Sequence, residues 1–330
     1  MQQTAKRQSQ TITISNGVLT ATLMPLGATL CDLRLDGFDH SLVLGWCDPA
    51  EYLRKDEYLG PIVGRCANRI SSGSYRLDGE TFHLNRNFRD RHCLHGGQDG
   101  AAMQLWEVAH CSATSVTFTL HLPDGHMGFG GELFVSARYS VENPAVLSLE
   151  IEARSDSATV CSFAPHWYFN LNGGGDITGH NLQIVADRYL PVDDDLIPSG
   201  DPAQVQGTEF DFRTPRMVGD FPFDHNFCIS DRRTSEKPVA VLESPLSGVR
   251  MALTSTEPGL QVYSGTHLNH PDRETLSGEP YRAYSGLALE PQGWPDAPNN
   301  PSYPSVILHA GERYLHISRL SFSRSAQHNG

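Results

Sequence analysis

The chain has no Cys-x-x-Cys pair, no His-Glu-x-x-His, no Walker loop and no Gly-x-Gly-x-x-Gly after a strand pattern. Those gaps remove the spacings by which a structural zinc, a helix-borne catalytic metal or a nucleotide phosphate is usually held, so neither metal nor cofactor is expected. Bases are scarce, 25 Lys and Arg against 38 Asp and Glu, for a formal charge of -13. Nucleic acid and anionic membrane need cations arrayed opposite phosphates, so neither is an expected partner and a neutral small molecule fits better. A long apolar run is also missing. Residues Met1 to Gln10 are polar, which speaks against a signal peptide or membrane anchor and leaves the cytoplasm as the expected compartment. The seven cysteines are scattered and odd in number, and read as reduced, mostly buried thiols.

What is present is alternation. Val116, Phe118, Leu120 and Leu122 interleave with Thr117, Thr119 and His121, and Leu133, Val135, Ala137, Tyr139 and Val141 repeat the pattern. Asn16-Gly17 and Asp78-Gly79 each sit between two such runs and predict tight antiparallel hairpins. Further strands are expected at 147–153, 239–242, 250–254, 260–263, 286–290, 305–308 and 314–322, and no long helical period appears. With 30 Gly and 21 Pro punctuating short strands, the expected architecture is all-β, a large antiparallel β-sandwich. No linker divides it, so residues 1–330 are read as one domain with a flexible tail at 1–10. The Pro/Gly-rich stretches Pro191 to Pro202 and Pro291 to Pro304 read as long functional loops.

Five polar clusters interrupt the strands: Gly64-Arg65-Cys66-Ala67-Asn68-Arg69-Ile70, Leu94-His95-Gly96-Gly97, Pro165-His166-Trp167-Tyr168-Phe169-Asn170-Leu171, Phe223-Asp224-His225-Asn226-Phe227 and Leu287-Ala288-Leu289-Glu290-Pro291-Gln292. Each sets titratable or amide groups among apolar strand residues. His166 stands out, because imidazole exchanges its proton near neutrality and here it is flanked by aromatic rings suited to sugar CH groups.

In this order the clusters resemble the aldose 1-epimerase (galactose mutarotase) family. The likeness extends through Met24-Pro25-Leu26-Gly27-Ala28-Thr29-Leu30, Leu42-Val43-Leu44-Gly45, Pro258-Gly259-Leu260-Gln261-Val262-Tyr263-Ser264-Gly265 and Trp294-Pro295-Asp296-Ala297-Pro298-Asn299. The resemblance implies a sandwich of the galactose-mutarotase type (a supersandwich) and interconversion of the α and β anomers of a free aldose. It matches Glu290 to the family's catalytic base and His166 to its acid. His95, Asn68, Arg69, Asp224 and Gln261 match positions that hold sugar oxygens, with His95 close enough to share in catalysis.

Opening a hemiacetal requires a base for the O1 proton and an acid for the ring oxygen, so Glu290 and His166 suffice in principle. The carboxylate is expected to start ionised and the imidazole protonated, with Asp224 or Glu290 raising the histidine pKa. Rate would then fall at low pH and again at high pH. Other readings stand beside these. Arg65 is read as an ion-pairing residue at a surface or interface, Gln261 as a buried amide, and Trp167 and Phe223 as core or sugar platform. Two departures from the family pattern are expected to affect specificity: Gly130 replaces a usual proline and loosens a loop, and Trp167 adds bulk beside the acid. Rival functions are a hexose-6-phosphate 1-epimerase, which needs a basic cluster for the phosphate; a non-catalytic carbohydrate-binding protein; and a glycoside hydrolase using Asp224 and Glu290.

Overall fold

Alternating side chains and two-residue turns dictate the local structure, and both expected hairpins form in the computed structural model, which describes residues 10–54 and 56–324. Residues 1–9 of the expected tail lie outside the described residues. Ile12–Ser15 pairs antiparallel with Leu19–Met24, and Ser74–Leu77 with Glu80–His83. In the second turn Asp78 and Gly79 both have positive φ, 50° and 86°, the backbone that matches the twist of the flanking strands.

Among the described residues the principal sheet has nine antiparallel strands. At its centre Tyr314–Arg324 runs between Val249–Ser255 and Val146–Arg154, followed outward by Leu133–Glu142 and Ser115–Leu122. In Leu133–Glu142 every second residue, from Leu133 to Val141, is buried and its neighbours are at least partly exposed. A second sheet of six strands runs in the order Tyr168–Phe169, Leu287–Gln292, Gly259–Tyr263, Asp224–Cys228, Arg188–Tyr189, Ala203–Gln204. One apolar cluster takes Leu149, Ile151 and Leu320 from the first sheet and Phe227, Leu260, Val262, Leu287 and Leu289 from the second. The architecture is therefore the expected antiparallel sandwich. Among the described residues helix is limited to short 3₁₀ turns, and none is long and apolar enough to cross a membrane.

The six-stranded sheet has two unlike faces. Gln261 lies opposite Glu290 and Asn226 opposite Gln261, while Tyr263 lies opposite both Ala288 and Asp224. Directly paired residues share a face, and residues two apart on a strand share it too. Asp224, Asn226, Gln261, Glu290 and Gln292 thus form a polar face, with Leu260, Val262 and Leu289 turned the other way into the core.

Three expectations change here. Arg65 is not a surface ion-pairing residue: it is 1% exposed, and its guanidinium donates to the carbonyls of Leu122, Pro123, Gly130 and Gly131 and to Thr159 Oγ1. Gly130 does not loosen its loop. Its carbonyl accepts from Arg65 and Thr159, and a Cβ there would come 2.2 Å from the Phe82 ring. Trp167 is 1% exposed and belongs to the main core, near Tyr139 and Phe169, so its bulk lies between the sheets rather than beside a ligand. Phe223 is likewise core.

Replacing Arg65 by Met would leave several buried carbonyls without donors. Urea denaturation is expected to show a loss of about 3 kcal/mol. A change under about 0.5 kcal/mol, the range typical of surface substitutions, would show that these bonds do not hold the loop.

Candidate active site

His166 occupies a crossover between two short strands that belong to different sheets. Ala164–Pro165 pairs with Ile62–Val63, and Tyr168–Phe169 pairs with Leu287 and Ala288. Its backbone is clamped on both sides, its N–H donating to the Pro61 carbonyl at 2.9 Å and its carbonyl accepting from Gly60 at 3.0 Å. The ring is thereby delivered to the polar face of the six-stranded sheet, with Nε2 3.6 Å from Glu290 Oε1. That is too long for a hydrogen bond and short enough for strong coupling.

Asn68 and His95 clasp each other. The Asn68 N–H donates to His95 Nδ1 at 3.1 Å, and the His95 N–H donates to the Asn68 carbonyl at 3.0 Å. Both residues have positive φ, 63° and 53°. The turn that follows passes so close to Gly64 that a Cβ on Gly96 would lie 2.1 Å from the Gly64 carbonyl oxygen, which is why glycine stands there. The clasp brings the His95 ring edge-on to His166, with centroids 5.2 Å apart.

A charged hydrogen-bond chain borders the pair. Arg69 Nη2 donates to Asp224 Oδ2 at 3.1 Å, and Gln261 Nε2 donates to Asp224 Oδ1 at 2.6 Å. Asn68 Oδ1 accepts from the Arg69 N–H at 2.8 Å, and the Arg69 guanidinium lies over Phe88, 4.6 Å from the ring centre. Gln261, expected as a buried amide, is buried, but its partner is a carboxylate side chain and its Oε1 has no partner. Both proline-rich loops reach this chain: Val192, Leu196, Pro198 and Pro295 line a small cavity with Asn68, Asp224, Asn226 and Gln261. All seven site residues expected from sequence, Asn68, Arg69, His95, His166, Asp224, Gln261 and Glu290, are therefore brought into one neighbourhood. Tyr168, one of the flanking rings, lies 5.1 Å from the His166 ring; Tyr58 and Phe88 were missed, because an isolated aromatic carries no signal until it is seen packing on a polar ring.

Burial governs the electrostatics. Glu290 and His166 are 2% and 5% exposed. Burial, reinforced by Asp224 and opposed by Arg69, holds the Glu290 carboxyl well above the usual carboxylate range. Burial also lowers His166 to about 4; a backbone hydrogen bond and Asp224 oppose this without overcoming it, and Arg69 adds to it. The expectation of a raised histidine pKa is thus corrected: loss of solvent outweighs the attraction of Asp224. Burial thus favours the neutral form of each group, the carboxyl by raising its pKa and the imidazole by lowering it.

His95 is pushed well below the ordinary imidazole range, by burial first and then by His166 and Arg69. It is neutral, and since Nδ1 accepts from Asn68, its proton sits on Nε2. One nitrogen each from His95 and His166 and one Glu290 oxygen lie within 4.8 Å of one another, close enough for metal ligation. The tautomer opposes that use, since the nitrogen left free on His95 is a donor with no lone pair for a metal. The arrangement instead offers a proton-sharing acid and base, a neutral N–H donor and a row of groups suited to hydroxyls.

The aldose 1-epimerase family model matches residues 10–321. The chain is 38% identical to galactose mutarotase of Rattus norvegicus over 92% of this chain and 91% of the rat protein. It is 34% identical to aldose 1-epimerase of Escherichia coli K12, covering 93% of each. A solved structure described as a GalM/aldose epimerase homologue from C. elegans superposes with a TM-score of 0.90 at 30% identity, covering 96% of this chain and 99% of that one.

The His95 assignment is open to imidazole ¹⁵N NMR. His95 is expected to show a bare Nδ1, a protonated Nε2 and no second protonation at pH 6. A doubly protonated ring at that pH, or the opposite tautomer, would contradict the clasp.

Proposed function

The chain belongs to the aldose 1-epimerase family, and from that premise we infer that it interconverts the α and β anomers of free aldohexoses such as galactose or glucose by acid–base opening and reclosure of the ring. It is an isomerase that needs no cofactor. The observation carrying the site assignment is the 3.6 Å approach of His166 to Glu290 in a buried setting, bordered by the Asn68–Arg69–Asp224–Gln261 chain.

In the reacting form the pair shares one proton: it sits on His166, and Glu290 is a carboxylate. Glu290 takes the proton from O1 while His166 gives its proton to the ring oxygen O5. The O1 electrons form the C1=O1 bond and the C1–O5 bond breaks. Rotation about C1–C2 presents the other face of the aldehyde; O5 attacks C1, His166 recovers its proton, and Glu290 returns one to O1. Each positioned group contributes roughly 10²–10⁴-fold. His95, through Nε2–H, donates to a sugar oxygen beside the reacting centre without itself titrating. Asp224 accepts from sugar hydroxyls with the lone pairs that Arg69 and Gln261 leave free, while Asn68 and Arg69 supply donors.

Arg69 and Arg89 flank Phe88, and each is paired with a carboxylate, Asp224 and Asp195 respectively. Asp195 also meets Arg91, but the guanidinium within the site, that of Arg69, is neutralised by Asp224, which favours free sugars over hexose 6-phosphates. The cytoplasm suits the seven thiols, none of which is in a disulfide.

Polarimetry of freshly dissolved α-D-galactose and α-D-glucose tests the reading. Glu290→Gln and His166→Asn are each expected to lower kcat by about 10²–10⁴-fold, and near-normal rates in both would sink the mechanism. Asp224→Asn is expected to act mainly on KM, by about 10-fold or more for a charged hydrogen bond lost to the sugar; an unchanged KM would remove Asp224 from the binding set. The pH profile follows from the shared proton. Below about pH 4 His166 takes up a second proton and the pair has no base left. On the alkaline side, activity fails when Glu290 releases the only proton, at a pH above the ordinary carboxylate range. An acid limb centred at the free-imidazole value, about 6.5, would contradict the burial argument.

A further inference from the structure

Tyr58 lies outside every polar cluster in the sequence and touches both imidazoles. Its ring centre is 4.7 Å from that of His95 and 5.8 Å from that of His166, nearly parallel to the latter at 27°. It also packs against the apolar cluster of Val63, Ala67, Ala102, Met103 and Ala164. Two residues on, Gly60 donates to the His166 carbonyl at 3.0 Å, so Tyr58 and His166 are tied through backbone as well as through rings.

The segment leading to Tyr58 is bolted from its other side. Glu57 Oε1 meets His270 Nε2 at 3.1 Å, and Arg273 pairs with Glu51 at 3.2 Å and with Asp56. His270 and Arg273 in turn rest on the Trp46 ring, at 5.0 and 4.9 Å. Such an arrangement restricts Tyr58 to one position, although no strand contains it.

We propose that Tyr58 is a positioning residue of the reaction: its ring, set against both His95 and His166, fixes their angle to each other and to Glu290, and the contacts of Glu51, Asp56 and Glu57 with Arg273 and His270 hold that ring in place. The proposal rests on the acid–base reading of Glu290 and His166. A ring that only filled space would affect stability; one that orients the acid affects turnover and the protonation of His166. Besides Tyr58, the charged and titratable groups facing His166 are His95, Tyr168, Glu290, Asp224 and Arg69, and none of them is altered by the substitutions below.

Mutarotation kinetics are measured across pH for Tyr58→Ala and Tyr58→Phe, beside Glu290→Gln. Tyr58→Ala is expected to lower kcat about 10- to 100-fold, the scale of a roughly 1 Å misplacement, with KM changed less than about threefold. Its acid limb should move up from near pH 4, because water admitted beside His166 relieves the burial that depresses it. Tyr58→Phe keeps the ring and is expected to restore kcat to within about twofold. A wild-type kcat with an unmoved acid limb in Tyr58→Ala overturns the proposal, as does a Phe variant no better than Ala. If Tyr58→Ala does not fold, Tyr58→Leu retains much of the volume without the flat face; a lowered kcat supports the proposal and a wild-type kcat overturns it. An active Glu290→Gln would bring down the acid–base reading itself, and this proposal with it.

Discussion

The register between Gly259–Tyr263 and Leu287–Gln292 is the constraint on which the rest depends. Gln261 faces Glu290 across that pairing, and Leu260, Val262 and Leu289 point the other way into the core. A slip of one residue would exchange the two sets, placing a carboxyl among leucines and leucines on the polar face. The core therefore enforces the site: several apolar side chains must be buried on one face, and the polar residues between them are held on the other. A site built on paired strands is also stiffer than one built on loops.

The same burial sets the chemistry. Glu290 and His166 are both removed from water, and each moves toward its neutral form, the carboxyl up and the imidazole down. The two stand 3.6 Å apart, so a bound sugar with oxygens on both sides can pass a proton from one to the other. His95 differs only in that its Nδ1 is occupied by the Asn68 N–H, which makes it a donor rather than a second base. Three ionisable residues in one pocket are separated into roles by hydrogen bonding and solvent exclusion.

Much of this was legible in the residues. Alternation located the long strands, and Asn16-Gly17 and Asp78-Gly79 marked turns that form as expected. The seven polar site positions were assigned by the family resemblance; six of them also lie in polar clusters conspicuous among apolar strands, whereas Gln261 lies in none. Arg65 was misread for a physical reason: a guanidinium is expected at a surface opposite a carboxylate, whereas this one is buried and satisfied by backbone carbonyls of a distant loop, which carry no signature in sequence. Trp167 follows the acid directly, yet its ring lies in the core near Tyr139 and Phe169; adjacency along the chain said nothing about which side of the crossover it would take.

By itself the sequence determined the all-β class and the antiparallel pairing, because side-chain period and turn chemistry are local properties, and its resemblance to a family marked the residues expected to exchange protons or bind hydroxyls. Tertiary structure alone decided which nitrogen of His95 carries its proton, that Glu290 and His166 are both pushed toward their neutral forms, and that Tyr58 lies against both imidazoles. Those outcomes depend on distances between segments far apart in the chain and on how completely water is excluded where they meet. Both quantities exist only once the sheets have packed.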